Sequence, residues 1–338
     1  MIRVAVVILN WNGEKFLRKF FPEVVRSSPA GTEIIVADNG SNDGSLGYIR
    51  DTFPGIRIID NQTNTGFASG YNKALKQVDA DYYVLLNNDI LVTSNWIPPV
   101  IDLMESDPTI AACQPKILSY AERNQFEYAG AAGGFIDRLG YPFCQGRIFQ
   151  SIEEDTGQYD EPSEIFWATG ACMFIRAELF HLFGGFDDDF FAHMEEIDLC
   201  WRLKNRDYRI MYCPGSAVYH VGGGSLPKRS SFKTYLNIRN NIFMLYKNLP
   251  DPRRRRVLFI RFFMDILASI KFLIDGGFKD FLAVFKAYAS FYSSLNRNRK
   301  KRASLLQGRS SKIYKGYIVF DHYIKRKKKF TELRGRFT

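Results

Sequence analysis

The sequence predicts an α/β protein, with a Rossmann-like, mainly parallel central sheet, helices on both faces, and a mostly helical C-terminal extension. Three observations predict it. Apolar, β-branched runs at residues 4–9 (VAVVIL), 33–38 (EIIVAD), 56–60 (IRIID) and 82–87 (YYVLLN) read as strands. Helical patterns around 14–27, 43–52 and 67–78 separate them, and continuous apolar strands joined by such helices require a parallel sheet buried on both faces. Charge, finally, is divided: residues 251–338 carry 23 Lys and Arg against 6 Asp and Glu, a net of +17 in a chain of +10, which leaves −7 on the rest.

Taken in order, the opening MIRVAVVILNWNG has a short apolar run, no small-residue cleavage site and a polar continuation, so it reads as a first strand and not as a leader. The first, second and fourth strands end on polar clusters: Asn10 and Asn12; Asp38 and Asn39; Asn87, Asn88 and Asp89. In a parallel sheet, ligands bind beyond the carboxyl ends of the strands, so the three clusters converge on one site. Residues 110–175 are less regular, with hairpins expected at GAAGGF and GYPFCQG. A strand leading into a short helix follows at 164–180, then a helix at 195–206 and strands at YRIMYC and AVYHV. Composition shifts near 222–231, which places a boundary at 228/229. The five cysteines are odd in number, widely spaced and free of any CxxC pair, as expected of buried thiols in a reducing compartment.

Each motif has a plain reading beside a chemical one. In VADNGSNDGS, Ser41, Asn42 and Asp43 stand where a helix starts, and Asp43 is a natural cap. Asp38 precedes the cap and closes an apolar run, which capping does not explain. Gly66 and Gly70 open the helix of NTGFASGYNKAL, either for close packing or to let an anion approach its N-terminus. The NND at 87–89 is an Asx turn or a ligand set in which Asp89 meets a cation. His220 is one of only four histidines, structural or ligating. Glu195, Glu196 and Asp198 crowd one helical turn. Helix-dipole stabilisation and an Asp198–Arg202 pair are the plain account. Their mutual repulsion should also raise at least one pKa, as a general base requires.

Seven motifs (VVILNWNG, IIVADNGSNDGS, NTGFASGYNKAL, LLNNDILV, FWATGACMFIRAELF, GGFDDDFFAHMEEIDLCWRL and VYHVGGGS) stand in an order and spacing that resembles glycosyltransferase family 2, of the GT-A fold, in its bacterial rhamnosyltransferase-like branch. The resemblance covers about residues 3–225. It implies a catalytic domain at 1–228, with a nucleotide-sugar half to about 110 and an acceptor half beyond, and an inverting transfer from a nucleotide-diphosphate sugar, dTDP-rhamnose by resemblance alone, to a glycan hydroxyl. It implies nucleotide-sugar contacts at Asn10, Asn12, Asp38 (the base reader), Asn39, Ser41, Asp43, Gly66, Phe67, Asn72, Asn87 and Asn88. Asp89 and His220 would hold a divalent cation, Mn²⁺ or Mg²⁺, with Asn87 replacing the first acid of the family's Asp-x-Asp. Glu196 would be the base, with Glu195 and Asp198 in reserve, and Trp167, Gly170 and Asp187 would line the acceptor site.

The extension, 229–338, contains VLFIRFFMDILASIKFLID at 257–275. On a helical wheel its Arg261, Asp265, Lys271 and Asp275 share one sector of about 120°. FKDFLAVFKAYASFYSSL repeats the segregation, and RRRR, RNRKKR and KRKKK flank the pair. Such helices are expected on an anionic membrane surface, giving a cytoplasmic protein peripheral to the inner face of the membrane and a lipid-linked acceptor. Packing on the catalytic body or a partner chain competes with that reading, and a true span is the third. Nucleic acid is disfavoured because the basic runs flank apolar helices. A dinucleotide oxidoreductase is disfavoured because no G-x-G-x-x-G follows the first strand. A non-catalytic nucleotide-sugar or glycan binder is the remaining alternative.

Overall fold

The computed structural model describes residues 2–222, 230–308, 310–333 and 335–338. The boundary expected at 228/229 and the last glycines of VYHVGGGS lie outside the described residues. The strands are β1 (Val4–Asn10), β2 (Glu33–Asp38), β3 (Arg57–Asp60), β4 (Tyr82–Asn87), β5 (Ile90–Val92), β6 (Ile110–Ser119), β7 (Gly134–Asp137), β8 (Pro142–Cys144), β9 (Arg147–Ile148), β10 (Ser151–Ile152), β11 (Ser163–Ile165), β12 (Cys172–Arg176), β13 (Arg209–His220) and β14 (Ile313–Tyr314). The main sheet runs β11-β13-β6-β12-β4-β1-β2-β3, with β5 on β13. The pairs among β1 to β4 are parallel, whereas β12 runs antiparallel between β4 and β6. Register aligns the site: Asn10 lies opposite Asp38, Asp38 opposite Asp60, and Leu9 opposite Asn87. The two strands expected at YRIMYC and AVYHV are one strand, β13, with a register shift between Cys213 and Ala217.

Alternation along the strands explains why both faces are covered. Val6 and Ile8 of β1 point to the side of α1 (Glu14–Ser27), where they meet Leu17, Phe21 and Val24. Ala5 and Val7 point to the other side. There they meet Ala68, Tyr71 and Leu75 of the helix at Gly66–Leu75, which is α3 once α2 (Ser45–Thr52) is counted. The helices α4 (Pro98–Glu105), α5 (Ala177–Leu182) and α6 (Glu195–Lys204) complete the body, and all five cysteines are buried and free. The expected hairpins form a second sheet, β10-β9-β8-β7-β14, whose last strand comes from the C-terminal region.

That region contains α7 (Ser231–Asn248), α8 (Arg253–Ile274), α9 (Phe278–Ser293), α10 (Leu295–Ala303) and α11 (Ile318–Tyr323). Among the described residues no helix is long and apolar enough to cross a membrane. The charged sector of α8 does not face water as a unit. Arg261 and Asp265 are each 3% exposed and face the body. Arg261 donates to Leu139 O at 3.0 Å and to Asn241, stacks 4.0 Å from the Tyr141 ring and pairs with Asp265 at 3.3 Å. Asp265 also accepts from Tyr288 Oη at 2.8 Å and Tyr141 Oη at 3.3 Å. Only Lys271 and Asp275 stay outside, paired with each other at 2.6 Å. RNRKKR likewise departs from expectation in part. Arg297 pairs with Asp189 at 2.8 Å, Lys301 with Asp189 at 2.6 Å and with Asp187, and Arg302 caps the carbonyls of Tyr246 and Lys247.

Substituting Asp265→Ala strands the buried Arg261 cation and is expected to cost about 3–5 kcal/mol of unfolding free energy, read by denaturant titration. Lys271→Ala, at the exposed pair, should leave the midpoint where it is.

Candidate active site

The polar ends of β1, β2 and β4 form one hydrogen-bonded shelf. Asn10, fully buried, donates through Nδ2 to Asp38 Oδ1 at 3.0 Å, Ser41 Oγ at 3.1 Å and Ser45 Oγ at 3.0 Å. Its Oδ1 accepts from Asn88 Nδ2 at 2.9 Å. Asp38 accepts from Gly40 N and Ser41 N through Oδ2, and from Ser41 Oγ through Oδ1. The expected base reader is therefore buried, with both oxygens engaged, and it braces the loop in this conformation. Asn12, in the left-handed region at φ 50°, donates its backbone N–H to Ser41 and accepts from Asn42 N, and it is exposed. Asp43 accepts from Glu14 N at 2.9 Å while Glu14 accepts from Gly44 N at 3.0 Å, so Asp43 joins the starts of α1 and α2. The capping account of Asp43 is the one its bonds support.

Asn39 carries the shelf across to α3, donating to Asn64 Oδ1 and to Gly66 O, each at 3.0 Å. There the anion expectation for the start of α3 is corrected. Phe67 N and Ala68 N both donate to Phe191 O, at 2.6 and 3.2 Å, so a carbonyl already caps this N-terminus. Gly66, at φ +83°, is required for that docking, since a Cβ would lie 2.4 Å from the same oxygen. Phe67 packs on Tyr71, Phe186 and the Cα of Gly170, so Phe67 and Gly170 form a packing contact with each other. Asn72 grips the 186–188 loop through Phe186 O, Phe186 N and Asp188 Oδ1, at 2.8, 3.0 and 2.8 Å. These contacts tie Gly66, Phe67 and Asn72 to the 186–191 loop.

Beyond Asn87 and Asn88, Asp89 Oδ1 lies 3.1 Å from His220 Nε2, as the pairing of β5 with β13 dictates. On the other side of the ring, Glu127 Oε2 lies 3.2 Å from Nδ1, too bent for a good hydrogen bond. Burial alone would depress the imidazole pKa, but the two carboxylates outweigh it and hold it at about 10. His220 in turn keeps Asp89 and Glu127 below the usual carboxylate range against the effect of burial. Glu127 was not anticipated from sequence; it comes from an irregular segment without a motif.

Asp89 and His220 have the spacing of two cation ligands, but with its pKa at about 10 the imidazole is itself a cation at neutral pH and would have to release its proton to ligate. Two ligands about 2.1 Å from one octahedral ion lie about 3 Å apart when adjacent, the spacing of Asp89 and His220. Glu127, at the far ring nitrogen, has the place of the carboxylate that orients a ligating histidine. Among the described residues no cluster of three or more His, Cys, Asp or Glu side chains could hold a metal, so other ligands would come from water or a diphosphate.

The acids of α6 separate sharply. Asp198 is fully buried, pairs with Arg202 at 2.9 Å and Lys247 at 3.0 Å, and accepts from Asn248 at 2.8 Å. It ties α6 to α7 and is not a reserve base. Asp187 is also corrected: instead of lining an acceptor site it binds Lys247 and Lys301, which hold its carboxyl well below the usual range against its burial. Trp167 is corrected too; it is 4% exposed and its indole donates to Phe135 O at 3.0 Å, leaving no face for a sugar. Glu195 and Glu196 differ from these. Burial raises both, Glu195 far and Glu196 to about 7, and one Oε of each has no hydrogen-bond partner among the described residues.

What precedes them is a strained turn: Phe191, His193 and Met194 all have φ between 64° and 74°. Asn240 of α7, fully buried, holds this turn by donating to Phe190 O, Ala192 O and His193 O at 2.8, 2.9 and 2.7 Å. Arg239 adds bonds to Asp189 O and Phe190 O. Sequence reading missed both, because the amide and guanidinium sit more than forty residues beyond the turn they serve. With Phe191 O on α3 and Asn39 on Gly66 O, a continuous set of contacts links the acid pair to the strand-end shelf.

Comparison with known proteins agrees with this architecture. The model for glycosyl transferase family 2 matches residues 5–184. The N-acetylglucosaminyl-diphospho-decaprenol L-rhamnosyltransferase of Mycobacterium tuberculosis is 26% identical over 90% of this chain and 98% of its own length. The low-salt glycan biosynthesis hexosyltransferase Agl10 of Haloferax volcanii is 22% identical over 70% of this chain and 73% of its own. Among solved structures, GalNAc-T7 with UDP, GalNAc and Mn²⁺ superposes with a TM-score of 0.63 at 16% identity, covering 96% of this chain and 57% of that one. The mannosyltransferase PcManGT from Pyrobaculum calidifontis, with GDP-Man and Mn²⁺, gives 0.51 at 15% identity over 90% and 79%. The chain belongs to glycosyl transferase family 2 and is a glycosyltransferase of the GT-A fold.

Proposed function

We propose that this glycosyltransferase moves a sugar, with inversion, from a nucleotide-diphosphate sugar to a hydroxyl of a lipid-linked glycan during cell-surface polysaccharide synthesis. The observation that carries the reading is the Glu195–Glu196 pair, Glu195 buried and Glu196 partly exposed, both with raised pKa values and one oxygen on each unpartnered among the described residues, connected to the strand-end shelf. dTDP-rhamnose is the donor we favour, and a prenyl-diphosphate-linked glycan the acceptor. The rhamnosyl group and the acceptor class are supported by the activity named for the M. tuberculosis relative, which covers most of this chain, and the dTDP carrier by the family resemblance alone.

In this reading the donor nucleotide lies over the shelf of Asn10, Asn39, Ser41 and Asn88, with Asn12 at its open edge. Asp38 and Asp43 keep the shelf rigid, so little order has to be gained on binding. Asp89 and His220 would hold a divalent cation, Mn²⁺ or Mg²⁺, that offsets the charge of a departing diphosphate. Glu196 takes the proton of the acceptor hydroxyl as that oxygen attacks the sugar from the face opposite the diphosphate. Burial raises Glu196 by itself, while burial first and the charge of Glu196 second raise Glu195 well above it, so near neutral pH Glu195 keeps its proton and Glu196 is the carboxyl able to act as base. The enzyme works at the cytoplasmic face of a membrane as a peripheral protein, a placement supported by the class of acceptor and the basic extension.

Three outcomes test this. Glu196→Gln should lower kcat by about 10²-fold or more while leaving nucleotide-sugar affinity by calorimetry unchanged. Bound donor with undiminished turnover would remove the base assignment. Because Glu196 must be ionised to act and its pKa is near 7, wild-type kcat should rise with pH through about 7 and then level. Asn240→Ala, which frees the turn before the acid pair, should reduce kcat by about 10²-fold with donor KM little changed, measured at the pH of the plateau.

A further inference from the structure

The extension is amphipathic in the inverse sense to a helix that merely covers a core. The inward side of α8 is polar, with Arg261 and Asp265 buried against the body. Its outward side is a stripe of Phe259, Phe263, Leu267, Ile270 and Ile274, spaced by four, four, three and four residues and exposed to between 45% and 79%. Helix α9 repeats the pattern with Phe278, Leu282, Phe285 and Tyr292, exposed to between 46% and 62%. The two helices pack side by side, Phe262 edge-on to Tyr288 at 5.2 Å, which joins the stripes into one face. Nine large side chains about half exposed amount to roughly 900 Å² of apolar surface, above the few hundred usual on a monomer. Nothing in the described chain covers it.

We infer that this face is the docking surface for a lipid bilayer bearing anionic headgroups, into which the two stripes sink while α8 and α9 lie along the surface. Charge decides between a bilayer and a second copy of the chain. Lys279 and Lys286 lie about 80–100° around α9 from the centre of its stripe, at the headgroup level of a half-sunken helix. Arg255 and Arg256 flank the start of the α8 stripe, and all four are exposed. The exposed acid of α8, Asp275, is already paired with Lys271. A two-fold contact between copies would set these cations against their own kind, whereas an anionic leaflet offers them counter-charge. The polar underside is equally telling, because a helix pair meant to be shed into solvent or exchanged has no need of a buried Arg–Asp pair to fix which side faces out.

The docking face and the proposed base are two sides of one layer. Helix α9 packs its inner side on α7, with Phe291 against Phe243 and Tyr246 at 6.0 and 5.5 Å, and α7 carries Asn240 beneath the turn that leads to Glu196. Docking through α8 and α9 therefore fixes the height of the acid pair above the lipid, as suits an acceptor whose sugars begin at a membrane-embedded diphosphate. This inference rests on the lipid-linked reading above, and its test is separable from that of the chemistry.

The full-length protein should float with vesicles of phosphatidylcholine and phosphatidylglycerol. It should bind pure phosphatidylcholine more weakly, and lose binding to the anionic vesicles as salt is raised. Leu267→Glu with Ile274→Glu should cut the bound fraction at least tenfold, and Lys279→Glu with Lys286→Glu should cut it mainly on anionic vesicles. The same variants should hydrolyse nucleotide sugar in solution at the wild-type rate, which reports an intact fold. Wild-type binding to neither vesicle, or equal binding by the Leu267/Ile274 double variant, would overturn the inference. A wild-type dimer in sedimentation velocity that those glutamates dissociate, without vesicle binding, would assign the face to a second copy. Loss of donor hydrolysis in Glu196→Gln with flotation intact would leave the docking face standing by itself.

Discussion

Six carboxylates lie within twelve residues, from Asp187 to Asp198, and the fold depends on how they are neutralised. Unpaired carboxylates cannot be buried without either a cation or a proton. Asp187, Asp189 and Asp198 receive cations, and nearly all come from the C-terminal extension: Lys247 on α7, Arg297 and Lys301 on α10, with Arg202 alone local. For Glu196 the only influences opposing burial are backbone amides of its own helical turn, so it is held near neutrality by a proton instead. The same segment thus supplies three acids anchored by cations, an exposed Asp188 held by Ser69 and Asn72, and the acid pair proposed to carry the base, and the distinction between them is which acids the extension reaches.

This explains which parts of the site were legible in sequence. Strands, their parallel order and the convergence of Asn10, Asp38 and Asn88 follow from apolar periodicity and polar strand ends, because a parallel sheet admits few arrangements of either. The roles of Gly66, Asn72 and the start of α3 did not follow. Each is set by the 186–191 loop, more than a hundred residues away, whose carbonyl occupies the donors an anion was expected to use. Asp187, Asp198 and Trp167 share the motifs of the site but are consumed by partners that only the tertiary structure supplies. That Glu195 and Glu196 adjoin was legible, but what raises them was not: burial, set by the tertiary structure, is the first cause for both, and repulsion adds only to Glu195.

The extension shows the same limit from the other side. A helical wheel reveals that charge and apolar side chains on α8 are segregated, but it carries no sign; whether the charged sector meets water or protein depends on what faces it. Tyr141, Tyr288, Asn241 and the Leu139 carbonyl provide a complete polar socket for Arg261 and Asp265. A buried ion pair is tolerated only where its remaining hydrogen bonds are met, and here they are. The cost of that socket is small compared with the consequence, which is to turn the aromatic stripe outward.

The division of charge between an acidic body and a basic tail accordingly has two parts. One part is internal: cations of α7 and α10 act as counter-ions to the acidic turn, and without them the turn that carries Glu196 would repel itself apart. The other part, Arg255, Arg256, Lys279 and Lys286 on the rims of α8 and α9, is exposed. A tail whose sole use was membrane attraction would need no ordered contact with the catalytic loop, and one whose sole use was internal neutralisation would need no exposed aromatic stripe. Asn240 and Phe291 sit on adjoining helices, so the extension is bonded to the loop that precedes the acid pair, and the strained turn at Phe191–Met194 persists because α7 over-determines it.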